Sequence, residues 1–398
     1  MIVVQENRSF DNLFSGYPGA DAPRFGYAGK KKIALRSTPL ENPGNIENNW
    51  RDAIGGWNGG KMNGFEHEHF YGGPLDYAYA YVPRRESAPY WAMARQYVLA
   101  DRMFPTEFGP SYTSHLSLVA ANTTIEPKPI AEVDAPDGLP WGCDAPQGTR
   151  TFTLTSARVE RFNGPFPCYE NFPTIAGRLD AAGISWKYYA SPLTRLPGKV
   201  WSVFDSIHAV RYGSDWQNVI TPQTKILRDV PNGTLAQVSW VTPDWQDSDH
   251  TGSGYDRGPS WVASIVNAIG ESPYWNSTAI VVVWDDWGGW YDDAPPPQLD
   301  FRGLGLRVPC IVISPYARSG YVSHTQYEFG SILKLVEETF GLPPIGPPSR
   351  GFTDTRAASM LDAFDFAQQP RAFVPIPAPY SRQRFLDERP SYVPPDSD

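Results

Sequence analysis

Long hydrophobic segments are missing from this sequence. No unbroken apolar run approaches the ~18–20 residues that a membrane-spanning helix needs. The chain opens with MIVVQENRSFD, which lacks the basic and long apolar segments of a secretory signal peptide. We therefore expect no integral membrane segment, and no leader within the sequence as it stands.

Charged residues and cysteines are also scarce. Charged residues make up 19% of the chain, and 34 basic against 43 acidic residues give a net charge of −9. A net negative charge argues against a protein that binds the phosphate backbone of a nucleic acid. Of the three cysteines, Cys310 lies in an apolar run and is predicted to be a buried thiol. Cys143 and Cys168 lie in Pro-rich loop sequence, and they could form a disulfide or stay as two free thiols. A disulfide would imply an oxidising compartment.

Turn-forming and aromatic residues are abundant instead. The chain has 40 Pro and 35 Gly, nearly one residue in five, and 14% aromatic residues. Average usage of Pro and Gly together is roughly 12%. This composition excludes coiled coils and long helical bundles, and it indicates a loop-rich globular protein. The 41% of hydrophobic residues suffices for a packed core, and 398 residues allow two or three domains or one large α/β domain.

Strand-like and helix-like segments alternate along the chain. Apolar, β-branched runs predict strands, and apolar residues at helical spacing predict helices. Alternation of this kind predicts an α/β fold with a mostly parallel central sheet covered on both faces. The predicted strands are 2–4, 185–189, 237–241, 279–284 and 308–314, and the predicted helices are 86–104, 111–121, 172–183, 259–270 and 326–340.

The distribution of these segments predicts one main domain. Residues 1–342 are expected to form it, with a loop-rich cap or insertion at about 122–170, where periodicity is weak and Pro is frequent. Residues 343–398 contain 11 Pro and are expected to be a wrapping segment or a tail.

Polar residues follow three of the predicted strands. Glu6 and Asn7 follow the first, Asp285 and Asp286 follow the run 279–284, and His250 lies shortly after 237–241. Ligands of open α/β sheets bind beyond the carboxyl ends of the strands. Two adjacent Asp at a buried strand end are costly unless a cation or hydrogen-bond donors neutralise them. The competing interpretations are a metal site and a pair of Asp that cap a helix or form hydrogen bonds within a loop.

The segment GPSYTSH (109–115) contains the candidate nucleophile. Ser111 stands at a predicted helix start, where free N–H groups and the helix dipole stabilise an anion. A serine hydroxyl next to a metal can lose its proton and attack phosphorus. An ordinary helix N-cap is the alternative for the isolated motif.

Several motifs, taken in order, resemble those of a known family. These are ENRSFD (6–11), GPSYTSH (109–115), SDH (248–250) and DDWGGWYD (285–292). In this order they are similar to the bacterial phosphoesterase family, which contains phospholipase C enzymes and AcpA-like acid phosphatases and belongs to the alkaline phosphatase superfamily. The resemblance implies an alkaline-phosphatase-like three-layer α/β sandwich and an ester hydrolase.

The resemblance also implies roles for individual residues. Ser111 matches a nucleophile that passes through a phosphoserine intermediate. Asn7 and His250 match further catalytic residues. The implied metal ligands are Glu6, Asn7, Ser111, Asp285 and Asp286, and the implied substrate-binding residues are Ser114, His115 and Asp249.

Three departures from the family pattern bear on the chemistry. In one of them, Thr113 and Ser114 stand where the family usually has Pro and Asn, so an expected amide is absent. Asn48 and Asp293 stand where the family commonly has His, so both are secondary candidates for the site, and whether they take over the missing roles stays open. The remaining ligand set is rich in oxygen, with at most His250 as nitrogen, and it favours one divalent Mg²⁺, Ca²⁺ or Mn²⁺ over Zn²⁺. A catalytically impaired relative that binds phosphate or another ligand is the alternative.

The expected substrate is a small phosphoester or a phospholipid head group, with transient contact to a membrane surface. Aromatic residues between positions 57 and 91 are interpreted as packing, with a pocket for a choline-like group as the other interpretation. No nucleic-acid partner is expected. The family is mainly exported, so we expect a periplasmic or secreted protein whose leader is missing from this sequence.

Overall fold

The computed structural model describes residues 1–42, 44–68, 76–125 and 130–393. Within these ranges the strands are β1 (Ile2–Gln5), β2 (Phe25–Ala28), β3 (Lys31–Ala34), β4 (Arg36–Ser37), β5 (Ala80–Tyr81), β6 (Val98–Phe104), β7 (Ile130–Asp134), β8 (Phe152–Thr155), β9 (Glu160–Arg161), β10 (Trp186–Tyr189), β11 (Val219–Ile220), β12 (Val238–Val241), β13 (Ile280–Trp284), β14 (Val308–Ile313), β15 (Tyr321–Ser323) and β16 (Tyr327–Glu328).

The central sheet has the strand order β11-β10-β12-β1-β13-β14-β6-β15, with β16 also paired to β6. The pairs from β11 to β13 are parallel, whereas β14 is antiparallel to both of its neighbours. β1 lies between β12 and β13, and Gln5 pairs with Trp284. The carboxyl ends of these three strands therefore meet at one edge of the sheet.

Helices cover the sheet. They are α1 (Phe10–Phe14), α2 (Trp50–Trp57), α3 (Ala88–Gln96), α4 (Ser111–Ala120), α5 (Ile175–Ala181), α6 (Leu196–Trp201), α7 (His208–Arg211), α8 (Ile226–Asp229), α9 (Gly258–Gly270), α10 (Phe329–Phe340) and α11 (Arg382–Asp387). One packed group contains α4, α10, α5 and α6, and another contains α9, α3, α8 and α11. The predicted α/β sandwich with a mostly parallel central sheet is confirmed.

Burial explains why the central strands read as continuous apolar runs. Every residue of β1, β12, β13 and β14 is buried. A strand of a sheet that is covered on both faces has no solvent side, so it does not alternate between apolar and polar residues. Burial of each large apolar side chain contributes roughly 1.5–3 kcal/mol.

The prediction of one helix over residues 86–104 is wrong in its second half. Helix α3 ends at Gln96, and residues Val98–Phe104 form strand β6. Strand β6 is buried between β14 and β15, which supply backbone hydrogen-bond partners. Apolar residues follow one another so closely in VLADRMF that local periodicity fits both structures, and pairing with distant strands favoured the strand.

The region around the predicted cap contains a small sheet of its own, in which β8 pairs with β7 and β9. Cys143 and Cys168 form a disulfide in this region. Cys310 is free and buried, as predicted.

The described part of the C-terminal segment packs along the main body. Phe385 packs against Trp261 of α9, and the Ile376 backbone exchanges hydrogen bonds with the Asn267 side chain. The division at residues 342 and 343 stays a prediction, because these contacts alone do not define a domain boundary.

Candidate active site

Two neighbouring strand ends bring acidic and amide side chains together at the carboxyl edge of the sheet. Glu6 and Asn7 directly follow β1, and Asp285 and Asp286 directly follow β13. All four residues are buried. The backbone N–H of Asn7 donates to Oδ1 of Asp285 over 2.9 Å, and this hydrogen bond continues the β1–β13 pairing into the site.

Ser111 begins helix α4, directly after Pro110, and its hydroxyl lies among oxygen atoms. Its Oγ is 3.2 Å from Oδ2 of Asp286, 3.3 Å from Oδ1 of Asn7 and 3.5 Å from Oε2 of Glu6. One hydroxyl has one proton to donate, so it cannot satisfy three acceptors. This excess of buried acceptors fits a divalent cation held by Glu6, Asn7, Ser111, Asp285 and Asp286.

The carboxylate of Asp286 has its own set of donors. Its Oδ1 accepts from Nδ2 of Asn48 at 2.9 Å and from the backbone N–H of Gly288 at 2.7 Å, and its Oδ2 lies 3.4 Å from Nδ2 of Asn7. Asn48 therefore orients a carboxylate of the site, although it stands where an imidazole was expected.

His115 lies one turn along α4 from Ser111, on the same helix face. Its Nε2 is 3.0 Å from Oε1 of Glu6 and 3.6 Å from Oδ2 of Asp285. The sequence predicts that His115 binds substrate, and this stays a prediction. In the structure its imidazole lies against the two carboxylates.

Burial shifts the pKa values of these groups. It raises the pKa of Glu6 to about 8 and, together with the neighbouring charge of Glu6, raises the pKa of Asp285 to about 7. Burial and the charge of Asp285 hold the pKa of Asp286 well above its usual range, and burial lowers the pKa of His115. A buried carboxyl resists ionisation unless positive charge is close by. The cluster is therefore suited to releasing protons in exchange for a cation.

The loop after β12 is tied to the end of β1. The carboxylate of Asp249 accepts from the Tyr90 hydroxyl at 2.7 Å and from Nε1 of Trp284 at 3.0 Å. Its backbone N–H donates to the side chain of Gln5, and its carbonyl accepts from Nε of Arg8. These hydrogen bonds make Asp249 an anchor of the loop that carries His250.

His250 is buried between aromatic rings. Its imidazole stacks on Trp201 and packs against Trp245, and its Nδ1 pairs with the carbonyl of Thr251. Ser114 is also buried, in the first turn of α4.

Asp293 lies in a second acidic cluster. Arg307 contacts Asp293 at 2.9 Å, Asp292 at 2.8 Å and Asp11 at 3.3 Å. Because all of these groups except Asp293 are fully buried, the guanidinium neutralises charge in the core. Arg307 therefore occupies the carboxylate of Asp293, which stands where the family commonly has His.

Gln5, at the end of β1, and Arg8, within the first motif, have structural roles that the sequence does not predict. The side chain of Gln5 connects the end of β1 to the loop after β12, since it accepts from the backbone N–H of Asp249 and donates to the carbonyl of Asp247. Arg8 is fully buried and also bonds Asn12 and the carbonyl of Leu40. For Arg8, the available signal was a charged residue three positions after a buried strand.

Most described aromatic residues between positions 57 and 91 pack against other rings. Phe65, Tyr79 and Tyr90 are fully buried, and Phe65 and Tyr79 both contact Tyr291. Phe70 and Tyr71, which belonged to the same prediction, lie outside the described residues. These contacts favour the packing interpretation.

Within the described ranges every helix is too short or too polar to cross a bilayer. The family model of the Phosphoesterase family matches residues 1–343. The chain therefore belongs to the Phosphoesterase family, and the predicted class, a hydrolase acting on ester bonds, is confirmed.

Named relatives and a solved structure are similar to the chain. Phospholipase C B of Mycobacterium tuberculosis is 23% identical over 461 residues, covering 99% of this chain and 82% of that protein. Non-hemolytic phospholipase C of Pseudomonas aeruginosa is 25% identical over 430 residues, covering 92% and 57%. A protein in the alkaline phosphatase superfamily from Vibrio parahaemolyticus is 12% identical, with a TM-score of 0.39 over 69% of this chain and 65% of that one.

Proposed function

We propose that the chain is a metal-dependent phosphoester hydrolase in which Ser111 is the nucleophile. The observation that carries the proposal is the position of its Oγ at the start of α4, within 3.5 Å of Glu6, Asn7 and Asp286. A helix N-terminus has backbone N–H groups without intrahelical partners, and these favour a phosphate group at this position.

Each residue of the site has its own role in the proposed reaction. Ser111 attacks phosphorus in line with the leaving oxygen and forms a phosphoserine, which water then hydrolyses. Asn7 and the first turn of α4, including Ser114, orient the phosphate, and His250 supplies the imidazole for proton transfer to the leaving group. The carboxylate of Asp249 already accepts two hydrogen bonds, so we assign it the role of holding His250 in place.

Glu6, Asn7, Ser111, Asp285 and Asp286 would hold one divalent cation. When bound, it would neutralise the carboxylates, lower the pKa of the Ser111 hydroxyl and stabilise charge on the phosphate. The five oxygen-bearing side chains favour Mg²⁺, Ca²⁺ or Mn²⁺ over Zn²⁺.

The phospholipase C names of the relatives support a phosphodiester with a head group as the substrate. A phosphomonoester is the other candidate, as in an acid phosphatase. The disulfide between Cys143 and Cys168 supports a periplasmic or secreted location, because disulfides persist in oxidising compartments.

Hydrolysis of p-nitrophenyl phosphate and of p-nitrophenylphosphorylcholine, measured across pH with EDTA or single divalent metals, tests the function. We expect metal-dependent turnover that Ser111→Ala abolishes. Ser117→Ala is the matched control, because Ser117 is buried on the same helix and its Oγ bonds only the carbonyl of Thr113 among the contacts described. No metal-dependent turnover on either substrate would favour a ligand-binding relative that has lost catalysis.

A further inference from the structure

Helix α4 places an imidazole beside the proposed cation site. Nε2 of His115 lies 3.0 Å from Oε1 of Glu6 and 3.6 Å from Oδ2 of Asp285. All three side chains are at most 1% exposed, and one potential ligand atom from each lies within 4.8 Å of the others. No other group in the described residues combines a histidine with two carboxylates in this way.

The distances match the spacing of ligand atoms around a single ion. Metal–ligand bonds of about 2.1 Å put two ligands about 3.0 Å apart at a right angle and about 3.4 Å apart at a tetrahedral angle. The separations from His115 to Glu6 and Asp285 fall close to these values.

The helix explains how the imidazole comes to this position. Ser111 and His115 are four residues apart, so they project from the same face of α4 about one turn from each other. One helix face thus presents a hydroxyl and an imidazole to the carboxylates that follow β1 and β13.

We propose that His115 is a direct metal ligand and that its nitrogen makes the site select a divalent transition ion such as Mn²⁺ over Mg²⁺ and Ca²⁺. Imidazole is a common ligand of transition ions, whereas Mg²⁺ and Ca²⁺ take oxygen ligands almost entirely. The proposal rests on the cation site of the proposed function and narrows the choice of metal. It also changes the role of His115 from the substrate contact that the sequence suggested.

Pulsed EPR of the Mn²⁺ complex tests for a metal–nitrogen bond directly. Metal-free protein is loaded with Mn²⁺, and the nitrogen coupling to the ion is recorded for the unaltered protein, His115→Gln and His208→Gln. We expect coupling in the unaltered protein and in His208→Gln, whose altered residue lies on α7 beside Tyr212. Absence of coupling in the unaltered protein, or full coupling in His115→Gln, would overturn the proposal.

Calorimetric titration with Mn²⁺ and with Mg²⁺ tests the selectivity. In His115→Gln we expect Mn²⁺ affinity to fall by about 100-fold and Mg²⁺ affinity by less than about 10-fold. Equal losses for both ions would show that His115 only positions Glu6, and the ligand assignment would then fail.

Neither measurement depends on turnover, so the two proposals can fail separately. A nitrogen-coupled Mn²⁺ complex that hydrolyses neither p-nitrophenyl ester would uphold the ligand assignment and contradict the hydrolase. Metal-dependent hydrolysis without nitrogen coupling would uphold the hydrolase and contradict the ligand assignment.

Discussion

Gly288 packs directly against the backbone of Asn7. A Cβ atom added to Gly288 would lie 2.2 Å from the carbonyl oxygen of Asn7, so only glycine permits this approach. Both residues have left-handed backbone conformations, with φ of 61° at Gly288 and 54° at Asn7. Since the N–H of Gly288 also bonds Asp286, this contact connects the turns that follow β1 and β13 and positions the proposed metal ligands.

Substitution of Gly288 by Ala should therefore disturb both stability and the site. We expect Gly288→Ala to lower the free energy of unfolding by about 2 kcal/mol or more, from positive-φ strain plus the steric clash, and to lower kcat/KM at least about 10-fold. Gly233→Ala is the control, because Gly233 has φ of 71° but open space around its Cβ position. Urea unfolding measures the free energy of unfolding of both variants. Equal losses in the two would contradict the close approach to Asn7 as the cause of the destabilisation.

Asn48 should matter through Asp286. Asn48→Ala removes the 2.9 Å hydrogen bond to Oδ1 of Asp286, and we expect metal affinity to fall about 10- to 100-fold. The neighbouring Asn49 caps α2 by accepting from the N–H groups of Arg51 and Asp52. Asn49→Ala should cost about 1 kcal/mol of stability without a matching loss of metal affinity. Calorimetric titration with Mn²⁺ compares the two variants, and similar affinities would argue against a role for Asn48 at the site.

Stability and metal binding should depend on pH in opposite directions. The folded-state pKa of Glu6 is about 8 and that of Asp285 about 7, above the values of about 4.3 and 3.9 for unfolded Glu and Asp. Between these limits the folded metal-free protein binds more protons than the unfolded chain, so its stability should fall as pH rises from about 4 to 8. A bound cation replaces these protons, so added Mn²⁺ should raise Tm more at pH 8 than at pH 5.

Thermal unfolding with EDTA and with Mn²⁺ across this pH range checks the prediction. Glu6→Gln removes one of the shifted carboxyl groups and should flatten the pH dependence of the metal-free protein. An equal rise of Tm with Mn²⁺ at pH 5 and pH 8 would contradict proton exchange at the cluster.

Arg307 should be essential for stability, because it neutralises Asp11, Asp292 and Asp293. Arg307→Met leaves buried carboxylates without their cation, and we expect a loss of about 3–5 kcal/mol in urea unfolding. Arg102→Met is the control, because its ion pair with Asp21 is roughly half exposed and should contribute no more than about 1 kcal/mol. A small loss for Arg307→Met would mean that the carboxyl groups are held in their neutral form.

Local sequence was sufficient to predict the central strands and the residues at their ends. The apolar run before Asp285 and the short run before Glu6 predict buried parallel strands, and parallel strands end at the same edge of a sheet. Helix-start chemistry likewise predicts Ser111 at the first position of α4. These features depend on periodicity, on strand direction and on the residues that begin a helix, and short stretches of sequence contain all three.

Tertiary structure alone determined which groups those residues meet. Asp293 and Asp286 are both acidic residues that follow β13, yet one pairs with Arg307 and the other lies beside Ser111. His115 contacts Glu6, which is 109 positions away. Val98–Phe104 is a strand because β14 and β15 supply its hydrogen-bond partners. The sequence by itself determined the α/β framework and the chemical types at its edge, and long-range packing determined their partners, since burial and electrostatic pairing depend on contacts between distant segments.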